Sequence, residues 1–210
     1  MEPQNNSVWH RVWRIARIPI YVTAALYVVI VIYSIPHYLE KTKTKKIVDR
    51  IQAQKLTLRD VMGENLPSEP DPALKDATVA GVDANSNGIR DDVELAIFKL
   101  HPESARIRAA ELQYAMALQN ELVSVFNTDT WREVAKDENN GISCLIDLSF
   151  DKYADIKDQI NKSKEWEKEV ELLVFNADAR KLREQDNKKY EAAYAVGKGK
   201  CDIDPSTFSS

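Results

Sequence analysis

The sequence predicts an all-α protein: one transmembrane helix followed by a small helical domain. Three observations carry this. Residues 18–35, IPIYVTAALYVVIVIYSI, run for eighteen positions without a charge, close to the roughly twenty that a helix needs to cross a bilayer core. Beyond residue 100, apolar residues recur at three- and four-residue spacing, the period of a helix with one buried face. Between these regions the run PSEPDP at 67–72 cannot be helical and reads as a stiff, extended spacer.

The apolar run comes first. Trp9 and Trp13 precede it, and Tyr33 and Tyr38 lie at its far end, as expected for aromatics at the two membrane interfaces. Pro19 falls in the first turn of the span, where proline is tolerated. A cleaved signal peptide is the competing reading. However, the run is longer than a typical signal core, and no small-x-small cleavage site follows it. A buried core helix is the less favoured reading, since the stretch is apolar all round. Residues 18–36 are therefore expected to be a signal anchor in the lipid bilayer, with 1–17 a short cytoplasmic tail. Flanking charge does not decide orientation. Arg11, Arg14 and Arg17 stand on one side, against Lys41, Lys43, Lys45, Lys46 and Arg50 on the other, so the positive-inside rule gives no clear vote.

Residues 45–56, KKIVDRIQAQKL, read as a short juxtamembrane helix with Ile47, Val48 and Ile51 apolar. With the proline-rich spacer it fills 37–72 and leaves 73–210 as the domain. There a first helix is expected over 91–100, with Val93, Ile97 and Leu100 on its apolar face. Pro102 ends it, and Ser104 caps the next helix. That second helix carries Ile107, Ala110, Tyr114, Leu118, Leu122 and Val125 in helical register and ends near Phe126 and Asn127. A short helix over 130–136 holds Trp131, and Asn139-Asn140-Gly141 reads as a turn. Periodicity does not decide whether 142–148 is a strand or the start of a helix. From Ser163 to about Val196 one long helix is expected. Its seams are Trp166, Val170, Leu173 and Ala177, and Leu172, Phe175, Ala179 and Leu182, and glycines 197 and 199 end it.

The domain opens with DANSNGIRDDVE at 83–94. Asp83, Asn85, Asn87, Asp91 and Glu94 stand at loop positions 1, 3, 5, 9 and 12, with Gly88 at position 6. A hard cation wants six to eight oxygens, which so short a chain can supply only by wrapping around it. Gly88 permits the sharp turn. This loop resembles the EF-hand family, and more closely its dockerin-like and thrombospondin type 3-like variants. The resemblance implies Ca²⁺ held by the side chains of Asp83, Asn85, Asn87, Asp91 and Glu94 and by the carbonyl of Ile89. Two departures qualify it. Thr78-Val79-Ala80-Gly81-Val82 does not read as an entering helix, and position 8, usually apolar, is Arg90. A half-motif follows, a loop feeding one exiting helix. With two neutral amides among its ligands, a dissociation constant on the order of 10⁻⁴–10⁻³ M is expected, the extracellular regime. The same residues also read as an Asn/Gly turn, with Asp91 or Asp92 as a helix N-cap and no metal.

Cys144 and Cys201 are the only cysteines. Outside the cytosol they are expected to pair, the alternative being two buried thiols; two cysteines alone make no zinc site. A low-affinity calcium loop would stay unloaded in a cytosol, so loop and cysteines together favour an extracytoplasmic domain. Net charge is −4 with three arginines before residue 18, so the body is acidic and a poor match for nucleic acid. His10 and His37 flank the anchor, leaving His101 alone in the body. No zinc-protease, phosphate-loop or dinucleotide motif appears. These features point to a membrane-anchored binding or scaffolding module of the cell envelope with an unidentified protein partner. A membrane-tethered hydrolase is the alternative. A calcium sensor would need a paired loop to switch against, and no second loop is present.

Overall fold

The structure, a computed structural model, describes residues 6–193, 199, 201–204, 207 and 208, with the backbone alone at 6–12, 14–16, 18 and 151. The side chain of Trp9, residues 1–5 of the tail, and residues 194–198 and 200 of the expected C-terminal helix and its glycine stop lie outside that set. Every regular element among the described residues is helical.

The chain divides into two compact units, Met1–Lys46 and Ile47–Ser210. The first is the body of α1, Asn6–Ala53, a helix long and apolar enough to cross a membrane. The described apolar side chains of this first unit are exposed, Tyr33 to 85%. Because α1 begins at Asn6, Pro19 lies within the helix and not in its first turn, and Pro36 lies within it too. The expected juxtamembrane helix is the end of α1.

The second unit begins there, ahead of the proline-rich run expected to mark the boundary. Ile51, Val125 and Val134 form a small buried cluster. Next comes α2, Leu58–Met62, opened by a reciprocal capping box between Thr57 and Asp60. The PSEPDP run leads into α3, Pro72–Lys75, which has no buried residue. The loop 83–94 then feeds α4, Asp91–Leu100. Val93 and Ile97 are buried as expected, while Leu100 is exposed.

The centre of the unit is α5, Ala105–Ser124, opened by Ser104, whose hydroxyl accepts from the Ile107 amide. It is buried almost all round. Ala109, Ala110, Ala115 and Ala117 keep its girth small, so neighbouring helices approach from several sides. One continuous core surrounds it, including Ile89, Val93, Ile97, Leu112, Leu118, Leu122, Leu145, Trp166 and Val170.

Two expectations about the remaining helices fail. The short helix, the Asn139-Asn140-Gly141 turn and the undecided 142–148 segment are all one helix, α6, Thr128–Lys152. The reason is packing. A Cβ on Gly141 would stand 2.9 Å from the Tyr114 Cα, so the glycine marks where α6 lies against α5 and does not mark a reversal. The long C-terminal helix is instead α7, Ile156–Val174, and α8, Asp178–Asn187, followed by the 3₁₀ turn Lys188–Tyr190. Asn176, in the break, donates to Asp92 at 3.3 Å and accepts from Arg180 at 2.7 Å. The first apolar seam is buried at Trp166 and Val170, whereas Leu172 and Leu182 of the second are more than 60% exposed.

Cys144 of α6 and Cys201 form a disulfide. The next residue holds the segment on two further sides. The Asp202 amide donates to Gln113 of α5 at 2.8 Å, and its carboxylate accepts from the Leu56 amide at 3.1 Å.

Candidate metal centre

Loop 83–94 is shaped by its own side chains. Asp83 accepts two backbone hydrogen bonds across the turn, from Asn87 N at 3.2 Å and Gly88 N at 3.0 Å. Asn85 Oδ1 accepts from Asn87 N at 3.3 Å, and Asn87 Oδ1 from Ile89 N at 2.9 Å. Side-chain oxygens at alternate positions thus hold the following amides, the local bonding that lets Asn and Asp compete with regular structure. Gly88 sits at φ +88°, in the left-handed region that glycine enters freely. A Cβ there would also run into the Gln54 amide.

The exit is equally specific. The α4 N-cap is Arg90, which makes no side-chain capping bond. Asp91 points back into the loop, its Oδ1 accepting from Ala84 N at 2.9 Å, so neither Asp91 nor Asp92 acts as the N-cap. Ile89 at position 7 is fully buried in the core, which leaves its side chain no part in any site. Arg90 at position 8 is 1% exposed. It pairs with Asp92 and donates to the carbonyls of Val174 at 3.1 Å and Leu173 at 2.9 Å. Position 8 of the loop thus carries a cation that binds the C-terminal end of α7, where carbonyls lack helical partners.

Glu94 closes the loop from the first turn of α4 and is 0% exposed. Asn85 Nδ2 donates to its Oε2 at 3.0 Å and to the Asn65 carbonyl at 2.9 Å. Oε1 has no hydrogen-bond partner among the described residues. Burial, helped by the charges of Asp60 and Asp91 and opposed by the Asn85 and Asn87 amides, pushes Glu94 up to about 7. Burial also raises Asp83, against the backbone amides that favour its charge.

Residues outside the loop brace it. Asp60 accepts from Asn65 at 3.3 Å. Gln54 donates to the Asn87 carbonyl at 3.2 Å and accepts from Asn120 at 3.0 Å. Sequence reading missed these braces, because they come from three separate segments and carry no local pattern. Beside the loop lies a cavity of about 520 Å³, lined among others by Arg50, Gln54, Asp83, Gln119 and Asn120. Among the described residues, no histidine or cysteine lines it.

In chemical terms, a fully buried carboxylate with one bare oxygen stands beside Asn85, Asn87 and the charge of Asp91, in a loop whose turn is already formed. No family model, curated protein or solved structure matches this chain.

Proposed function

We propose that this chain is a single-pass membrane protein, anchored through residues 18–36, whose helical domain stands outside the cytoplasm. In this reading loop 83–94 carries a structural Ca²⁺ through Asp83, Asn85, Asn87, the Ile89 carbonyl, Asp91 and Glu94. The domain acts as a binding or scaffolding module of the cell envelope. The observation that carries the reading is Glu94. A buried carboxylate with an unpartnered oxygen is costly, and a hard cation in a loop with the right ligand order relieves that cost. The Cys144–Cys201 disulfide supports an oxidising compartment. Because the ion would join the loop to the first turn of α4, its role is to stiffen the entry to the domain.

Calorimetric titration of the full-length protein in detergent tests this. One calcium per chain is expected, at a dissociation constant on the order of 10⁻⁴–10⁻³ M, with magnesium much weaker and Asp83→Ala silent. Equal heats from the variant would sink the assignment. Protease digestion of sealed cells addresses the topology. Cleavage of the domain only from outside is expected, and protection in intact cells would reverse the orientation.

The alternative, a membrane-tethered hydrolase, has the 520 Å³ cavity as its natural site. Among the described residues that line it, no nucleophile is paired with a histidine base, so the module is the better reading.

A further inference from the structure

A second cluster of potential ligands lies at the opposite end of α4 from the loop. His101 is the α4 C-cap, its amide donating to the Ile97 carbonyl at 3.0 Å. The Arg108 guanidinium fixes it further by donating to the carbonyls of His101 at 2.8 Å and Pro102 at 2.7 Å. Its imidazole, 17% exposed, faces Glu111 of α5, which is 0% exposed, and Glu169 of α7, 30% exposed. His101 Nε2 lies 3.0 Å from Glu111 Oε1 and 3.5 Å from Glu169 Oε2, and one ligand atom from each residue lies within 4.8 Å of the others.

This differs from an ordinary buried ion pair in one respect. His101 Nε2 and Glu111 Oε1 face each other as a pair, but Glu111 Oε2 is buried with no hydrogen-bond partner among the described residues. A carboxylate enclosed in a helical core normally has both oxygens satisfied. Lys162 contributes positive potential toward Glu111, but its ammonium is engaged by Glu165 at 2.9 Å.

We propose that His101, Glu111 and Glu169 form a metal site, separate from the calcium loop, that takes a borderline first-row divalent ion, Zn²⁺ in preference to Mn²⁺. The donor set selects the metal. Imidazole suits zinc and its neighbours, whereas magnesium and calcium are bound by oxygen alone. The spacing fits. Bonds of about 2.0–2.1 Å in tetrahedral geometry place donor atoms roughly 3.3 Å apart, and the two observed separations fall on either side of that value. Three protein ligands leave a fourth position, on the side where His101 and Glu169 are partly exposed, for water or an incoming group. The ion joins the end of α4 to α5 and α7. The assignment does not depend on the calcium reading.

The test uses full-length protein in detergent, stripped with EDTA and titrated with ZnCl₂, and with CoCl₂ as a spectroscopic probe. Wild type is expected to bind one zinc per chain, to melt at a higher temperature with zinc, and to give visible d–d bands with cobalt. Glu169→Gln, on a partly exposed face, keeps the helical circular-dichroism spectrum and binds zinc roughly tenfold or more weaker; Glu111→Gln and His101→Gln abolish the cobalt bands. Asp83→Ala leaves zinc binding unchanged. The proposal is overturned if wild type binds no zinc, in which case the cluster is an internal ion pair. It is equally overturned if Glu169→Gln and His101→Gln bind as tightly as wild type, or if Asp83→Ala abolishes binding, since either places the ion elsewhere.

Discussion

Arg90, Arg108 and Arg183 each bind carbonyls at or just beyond a helix C-terminus. Arg90 takes Leu173 and Val174 at the end of α7, Arg108 takes His101 and Pro102 past the end of α4, and Arg183 takes Leu122 and Val125 at the end of α5. Arg180 does the same at the end of α3, at Lys75, and for the irregular backbone beyond it, at Thr78 and Val79. The last carbonyls of a helix have no intrahelical partner, and a planar guanidinium with several donors reaches two of them at once. Arg90 and Arg180 are each 1% exposed, so losing either leaves buried acceptors unpaired. Arg90→Ala is expected to cost about 3–5 kcal/mol by chemical denaturation. Arg90→Lys is expected to recover little, because a single ammonium cannot span Asp92 and two carbonyls. A loss below about 1 kcal/mol would show that the network contributes nothing beyond a surface pair. These partners were not legible in the sequence, where the arginine at position 8 of the loop stood out only as a departure from the calcium-loop pattern that the segment resembles.

At the scale of elements, legibility followed locality. The helix over 91–100 and the Ser104 cap were read correctly, because a breaker, a cap and apolar spacing sit within a few residues of one another. The path of α6 was not, since Asn139-Asn140-Gly141 carries turn chemistry and only contact with Tyr114 explains why the helix continues. The stop between α7 and α8 likewise involves a distant partner, Asp92 meeting Asn176, beside the local bond from Arg180 four residues on. A substitution separates local propensity from packing. In an exposed helix interior Gly→Ala stabilises by about 1 kcal/mol. At Gly141 the added methyl meets the α5 backbone, so Gly141→Ala is expected to destabilise by about 1–3 kcal/mol, the overpacking range. A raised melting temperature for the variant would mean that α5 and α6 have room to separate.

For the whole molecule, the disulfide and the buried acids govern stability under different conditions. Cys144–Cys201 closes a loop of 57 positions, worth roughly 4 kcal/mol by the chain-entropy model. Reduction, or paired Cys→Ser replacement, is expected to lower the denaturant midpoint by a corresponding amount. The acids act through pH. Burial is the main cause holding Glu94 and Glu121 up at about 7 and Asp137 at about 6, against ordinary values of 4.5 and 3.8. Each binds its proton more tightly in the folded state. Their stabilisation is therefore full below about pH 4 and is lost as pH rises through 6 and 7. His101, raised chiefly by Glu111, shifts in the same direction.

The residues proposed to hold calcium could be picked out in the sequence because they lie within twelve consecutive positions. The His101 cluster could not, because α5 and α7 supply two of its three members. The two groups differ in the same way that separates legible from illegible elements, and the proposed calcium would give the pH dependence a second signature. An ion at Glu94 requires the ionised carboxylate, so loading the loop should release a proton near neutral pH and reverse the local penalty.

The most direct measurement is the melting temperature of the full-length protein at about pH 5.5 and about pH 8, in EDTA and in about 5 mM calcium, beside Glu94→Gln. In EDTA, wild type is expected to melt lower at the higher pH. Calcium should raise that midpoint strongly at about pH 8 and weakly at about pH 5.5. Glu94→Gln, a neutral isostere, should be more stable than wild type in EDTA at the higher pH and indifferent to calcium. A wild-type midpoint that calcium does not move at either pH, or a calcium shift that Glu94→Gln retains, would contradict the account.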